Sequence, residues 1–162
     1  MVETPALEKK IYHVGVISDT HGLIRPEALK ALTGSDVILH AGDVGSPHVL
    51  HALRCIAPVI AVRGNTDREQ WIHGISVTET VEIAGFMFHI LHDLSCFDLD
   101  PVAAGIHAVI SGHSHRPSIA TDKGVLYLNP GSAGPRRFSL PVTLARIAIF
   151  REKLHPEMIY LA

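Results

Sequence analysis

Five short stretches of this chain carry metal-ligating side chains at close spacing: Asp19-Thr20-His21, Gly42-Asp43, Gly64-Asn65, the single His92, and Gly112-His113-Ser114-His115. Each follows an apolar, β-branched run and so falls at the expected end of a strand. Imidazole nitrogen with carboxylate oxygen suits Mn, Fe, Ni or Zn, whereas all-oxygen sets suit Mg or Ca. In α/β sheets, ligands gather beyond the carboxyl ends of the strands. Asp19, His21, Asp43, Asn65, His92, His113 and His115 are therefore the candidate metal ligands. One zinc in a structural site needs about four ligands, so seven point to two ions.

Charge counting narrows the chemistry. Two divalent ions carry four positive charges, and Asp19 and Asp43 return two negative ones. A bridging hydroxide leaves a single net positive charge, which suits an anionic phosphate ester. Two metals about 3.5–4 Å apart can generate hydroxide and clamp phosphoryl oxygens during an in-line displacement. In an extended chain, residues i and i+2 point to the same side. That spacing predicts that Asp19 and His21 aim at one ion, as do His113 and His115, with Ser114 directed away. Gly42, Gly64 and Gly112 precede ligands and permit sharp turns and close backbone approach.

The positioning elements read as a strand–helix–strand half followed by a hairpin-rich half. Strands are expected at 11–17, 36–40 and 58–62, and helices at 26–32 and from Pro47 to about Ile56, with Ser46 as N-cap. This rhythm predicts a parallel sheet. Beyond it, strands at 77–83 and 86–92 flank the two-residue turn Ala84-Gly85. A strand at 107–110 comes next, then a pair at 118–121 and 125–128 around Asp122-Lys123-Gly124, and a last pair at 142–150 and 158–161. The expected fold class is α/β, two mixed sheets packed face to face with helices outside.

The chain has 162 residues, enough for one domain and one core, so a single domain over 1–162 is expected. Hydrophobic residues make up 47% and charged residues 19%, which excludes a disordered chain. The net charge of −2 argues against general nucleic-acid binding. Cys55 and Cys96 make no disulfide framework and are expected to be reduced and buried. The first ten residues hold Glu3, Pro5 and Glu8 and no apolar core of a signal peptide. No apolar run reaches the ~18 residues of a membrane span. A soluble cytoplasmic protein is the expectation.

Taken in order, Asp19-x-His21, Gly42-Asp43, Gly64-Asn65, His92 and Gly112-His113-x-His115 resemble the motif set of the calcineurin-like metallophosphoesterases. The segments SDTHG at 18–22, HAGDV at 40–44, VRGNTD at 62–67, SGHSH at 111–115 and LNPGSAGPR at 128–136 resemble the small single-domain phosphodiesterase branch. The resemblance implies a four-layer α/β/β/α sandwich and two divalent ions, manganese foremost, with Fe, Ni or Zn as alternatives. It also implies that one ion takes Asp19, His21 and His115, that the other takes Asn65, His92 and His113, and that Asp43 bridges them. The implied reaction is phosphodiester hydrolysis by a metal-bound hydroxide. A phosphomonoesterase acting on a small metabolite or nucleotide is the first alternative. A non-catalytic scaffold, like the related retromer subunit, is the second.

Two departures from the resemblance stand out. Thr66 occupies the slot where phosphoprotein phosphatases carry a histidine that assists the leaving group, and a threonine hydroxyl supplies no acid near neutral pH. Asp93 follows His92 where many relatives have glycine. Among the remaining groups, His40 is expected beside the ligands or in the core, and His89, the nearby competitor of His92 but out of phase with the strand end, in the core. His48, His51, His73 and His155 are expected in solvent. Asp67 is expected to brace the Asn65 turn, and Asn129-Pro130-Gly131-Ser132 to sit against the site or form a plain turn. Arg136-Arg137 reads as a solvated pair, with steering of an anionic substrate as the alternative. The chain has no long insertion to form a cap, so an open site is expected. The apolar C-terminal strands are compatible with a homodimer.

Overall fold

The computed structural model describes residues 10–161. The reading of the first ten residues thus lies almost wholly outside the described part. Strand β1 (Tyr12–Ile17) leads to helix α1 (Pro26–Leu32), β2 (Val37–His40), α2 (Pro47–Arg54) and β3 (Val59–Ala61). Then come β4 (Thr78–Ile83), β5 (Phe86–Leu91), β6 (Ala108–Ile110), β7 (Ser118–Asp122), β8 (Val125–Asn129), β9 (Thr143–Phe150) and β10 (Lys153–Tyr160). Two five-stranded sheets result, ordered β10-β9-β1-β2-β3 and β4-β5-β6-β8-β7. Both are mixed. Strands β1, β2 and β3 run parallel in the first sheet, and β5, β6 and β8 in the second.

The layers follow from alternation along the strands. In β1, Val14 and Val16 face the second sheet and share a core with its Phe88, Ile90 and Ile110 and with Ile147 of the neighbouring β9. Ile17 faces the other way and packs with Leu32 of α1 and Leu53 of α2. β2 repeats the pattern, with Leu39 between the sheets and Ile38 under the helices. Strands buried on both faces read as near-continuous apolar runs, as these do. Each large side chain so buried contributes about 1.5–3 kcal/mol. Pro26 and Pro47 each start a helix at a position where the missing N–H costs nothing. Ser46 is the N-cap of α2, but its hydroxyl meets His48 Nδ1 at 2.7 Å and makes no capping bond.

The outer layer on the second sheet differs from the first. A single 3₁₀ turn (Leu94–Cys96) and the following loop cover it, with Phe97 and Ile106 packed on Leu91, Val109 and Val125. Among the described residues no α-helix covers this face, and none is long and apolar enough to cross a membrane. Three sequence expectations need correction. Cys55 and Cys96 are free but exposed, because Cys55 ends α2 on its outer side and Cys96 lies in the surface 3₁₀ turn. The turn before β8 is two residues, Lys123-Gly124, with Asp122 already paired to Val125. Strand β10 begins at Lys153, five residues earlier than expected, and pairs Pro156 opposite Ile147. Proline is tolerated there because β10 is an edge strand.

Candidate metal centre

The carboxyl ends of β1, β2 and β3 and of β5 and β6 meet at one rim, and the candidate ligands follow those ends directly. Five of them take left-handed backbone: Asp19 at φ 54°, His21 at 45°, Asp43 at 55°, His113 at 71° and His115 at 60°. The expected extended geometry for Asp19–His21 and His113–His115 is therefore wrong. Left-handed turns, not the strand period, bring these side chains inward. Asp, Asn and His tolerate this region better than most residues. Strain of about 1–3 kcal/mol per residue is held by the packing around it.

Close backbone approach completes the rim. Gly42, at φ 98°, lies so near His92 that a Cβ there would sit 2.7 Å from Nδ1. A Cβ on Gly112 would collide with the Ser18 hydroxyl and reach 2.7 Å from Asp19 Oδ2. Either glycine replaced by alanine would push a ligand out of place.

All seven candidate side chains face a common space. Asp19 Oδ1 stands 3.3 Å from His115 Nε2 and 3.9 Å from both His21 Nε2 and His92 Nε2. Asp43 Oδ2 is 3.3 Å from His92 Nε2 and 3.8 Å from His21 Nε2. His21 Nε2 and His115 Nε2 are 3.4 Å apart. On the other flank Asn65 Oδ1 lies 3.0 Å from His92 Nε2 and 3.2 Å from His113 Nδ1. Two groups suit a cation by distance: Asp19 with His21 and His115, and Asp19 with Asp43 and His92, their donor atoms within 4.8 Å of one another.

A cation fits the polar balance of the site. Asp19 is wholly buried, yet its Oδ1 accepts no hydrogen bond. A buried acceptor left unpaired is costly, and a metal among these nitrogens and oxygens would relieve it. Burial raises the Asp19 carboxyl above the usual carboxylate range, against the pull of His92, the Ser18 hydroxyl, His115 and the His113 N–H. Burial also acts to raise Asp43, but hydrogen bonds from His92 and from the Thr66 backbone outweigh it and hold that carboxyl well below the usual range. Burial pulls His92 down, but its contacts with Asp43, the Ala41 carbonyl and Asp19 carry it above the ordinary imidazole value. His115 is lowered by burial first, with Arg137 and His21 adding to the effect against Asp19 and Asp43.

Supporting groups hold the ligands. His92 Nδ1 donates to the Ala41 carbonyl at 2.7 Å, which leaves Nε2 free to ligate. Asp67 accepts the N–H groups of Gly64, Val44 and Gly45 at 2.9–3.1 Å, tying the Asn65 turn to the Asp43 loop. Asn129 Nδ2 donates to the Gly112 carbonyl and to Ser114 Oγ, and Ser132 Oγ donates to the Asp19 carbonyl. The Asn129–Ser132 turn therefore lies against the site. His40 is wholly buried and its ring is pushed down to about 3 by burial first, then by His92. Its Nδ1 accepts the Gly42 N–H at 3.1 Å, so Nε2 carries the proton toward Thr20 Oγ1 at 3.0 Å, and Thr20 donates onward to Val44. His89 is a core residue paired with Thr80 at 2.7 Å. His48, His51, His73 and His155 are exposed, as are Arg136 and Arg137.

Two positioning residues, Ser18 and Thr20, carried no signal of their own in the sequence. Ser18 donates to Asp19 Oδ2 at 2.8 Å and Thr20 links His40 to Val44. Both hydroxyls flank Asp19 in sequence, which is the one clue available. Asp93 accepts both the N–H and the hydroxyl of Ser95, capping the 3₁₀ turn, and its Oδ2 comes 3.9 Å from His113 Nε2. The Thr66 N–H donates to Asp43 Oδ1 at 3.0 Å.

Comparison with known proteins gives the family and the fold. Residues 12–151 match the model of the calcineurin-like phosphoesterase superfamily domain. A probable metallophosphoesterase of Methanothermobacter thermautotrophicus is 36% identical over 160 residues, covering 90% of this chain and 91% of that one. A solved structure characterised as a novel archaeal phosphodiesterase superposes with a TM-score of 0.77 at 26% identity, over 92% of this chain and 99% of that one. Vacuolar protein sorting 29 of Cryptosporidium parvum shares the fold, with a TM-score of 0.74 at 18% identity over 94% and 98% of the two chains. The α/β architecture of two mixed sheets, the metal-ligating residue types at their rim and the match over most of the chain lead to one conclusion: the protein belongs to the calcineurin-like phosphoesterase superfamily.

Proposed function

We propose that this chain, acting as a single domain over residues 1–162, is a dinuclear metal-dependent phosphodiesterase that works with manganese. The observation that carries the reading is the buried, unpartnered Asp19 Oδ1 set among imidazole nitrogens, beside an Asp43 carboxylate held in its charged form. Asp19, His21 and His115 would hold one ion and Asn65, His92 and His113 the other, with Asp43 shared. Bound there, two divalent ions would supply an activated water and a clamp for phosphoryl oxygens.

The chain's own residues set the rest. Neutral His40 fixes the Gly42 N–H and Thr20, and so the loop that presents Asp43. Asp67 locks Asn65 against the same loop. Thr66 lies at the exposed mouth and offers no proton to a departing alkoxide. General acid help is typically worth about 10²–10⁴-fold, so its absence leaves the rate dependent on leaving-group pKa. A diester, with one negative charge, suits this site better than a dianionic monoester.

The test uses manganese-loaded protein on a series of aryl and alkyl diesters and the matching monoesters. Diesters with acidic leaving groups should react fastest, with a steep fall as leaving-group pKa rises. Thr66→His should help alkyl monoesters more than aryl diesters. Faster monoester hydrolysis would favour a phosphomonoesterase. No hydrolysis of any ester would leave a scaffold role.

A further inference from the structure

A cleft of about 520 Å³ opens beside the cluster, and Asn65 and His92 line both. It lies at the seam between the sheets, where the edge strand β3 of one ends near the start of the edge strand β4 of the other. The Arg63 N–H donates to the Ser76 carbonyl at 3.0 Å and closes that seam. We propose that this cleft is a subsite for a flat heteroaromatic group, a nucleobase or similar ring, attached to the phosphate held at the cluster. The proposal rests on the phosphoesterase reading above and adds the substrate class.

Three observations carry it. First, the size is that of a site for a small organic ligand, about 300–1,000 Å³, and exceeds what a phosphate or a methyl group fills. Second, its walls are mostly apolar: Val77, Leu91 and Cys96 line it, and Val77 stands 55% exposed with no covering group. Third, Arg63 lines the cleft half-buried, and among the described residues its guanidinium has neither a hydrogen bond nor an ion pair. A guanidinium stacks on planar rings and donates to ring carbonyls and nitrogens. A second phosphate would also satisfy Arg63, but it would face the Asp93 carboxylate, which lines the same cleft, and would leave the apolar walls bare. A neutral ring with acceptor edges meets all three features.

The experiment is calorimetric binding of thymidine 5′-monophosphate and of methyl phosphate to the manganese-loaded protein. Both share the phosphate, and only the first carries a ring. The nucleotide should bind at least about tenfold more tightly, within the range that pocket contacts supply. Val77→Trp fills the cleft from an exposed position, and Arg63→Ala removes the donor while keeping the backbone bond to Ser76. The affinity ratio should fall toward one in at least one of them. A ratio near one in the unaltered protein, or a ratio unchanged in both variants, overturns the subsite and leaves the phosphoesterase reading standing. Binding of neither compound removes the phosphate-holding reading and the subsite with it.

Discussion

The two halves of the cluster are set at different depths. Asp19 and His115 are 0% and 3% exposed, and the His21 side chain is only 18% exposed. Across Asp43, His92 is buried as well, but the His113 side chain is 46% exposed and Asn65 stands open beside the cleft. The enclosed half also contains the two buried ligand-side atoms without partners, Asp19 Oδ1 and His115 Nδ1. The open half is tied to its surroundings through Asp67 and the Ala41 carbonyl. Such a division suits one half to holding an ion firmly and the other to meeting a substrate.

The largest effect should come from the residue the halves share. Asp43→Ala should lose both ions, because the Asp43 carboxylate lies between His92 at 3.3 Å and His21 at 3.8 Å, one from each side. Elemental analysis that finds two full equivalents retained would break the comparison at its centre.

A smaller effect should separate the halves. His113→Ala should keep one firmly held ion while hydrolysis falls at least about a hundredfold, the scale of losing a key transition-state contact. His115→Ala should instead remove the tighter step of a manganese titration. Ser114→Ala, which loses only the bonds its hydroxyl accepts from Asn129 Nδ2 and the Arg116 N–H, should keep most activity. If His113→Ala removes the tighter step, the depth difference has no bearing on affinity.

The smallest effect concerns His40, buried beneath both halves. Its ring titrates near the ordinary 6.5 when unfolded and at about 3 in the fold. Between those values the unfolded chain binds the extra proton. The stability is therefore whole above 6.5 and is lost as pH falls toward 3, by about 1.4 kcal/mol per unit. In urea unfolding of metal-free protein from about pH 7 to 5, His40→Gln should show a shallower loss than the unaltered chain. Parallel curves would place the ring in water.

Much of this arrangement was legible in the sequence, and the exceptions have physical causes. Helix α1 was readable to the residue because Pro26 marks its first turn. The hairpin at Ala84-Gly85 was readable because its type of turn needs positive φ, which Gly85 takes freely. The start of β10 was not, since Arg151-Glu152 makes a left-handed turn without glycine and Pro156 reads as a strand breaker. In the site, residue types and order named the candidates, but the i, i+2 argument gave the wrong geometry. Spacing along a chain says nothing of a left-handed turn. The 3.9 Å approach of Asp93 to His113 and the cleft at Arg63 depend on how two sheets meet, which no local pattern encodes.

The left-handed backbone also limits how the centre could be retuned to a different metal. A softer ion would call for thiolate donors, yet cysteine has no particular ease in that conformation. At Asp19, His21, Asp43, His113 and His115 the donor atom and the turn are chosen together, so exchanging one disturbs the other. Asn65 and His92 are not among the residues with positive φ. Those two are the positions where a new donor could be introduced without rebuilding the loop that carries it.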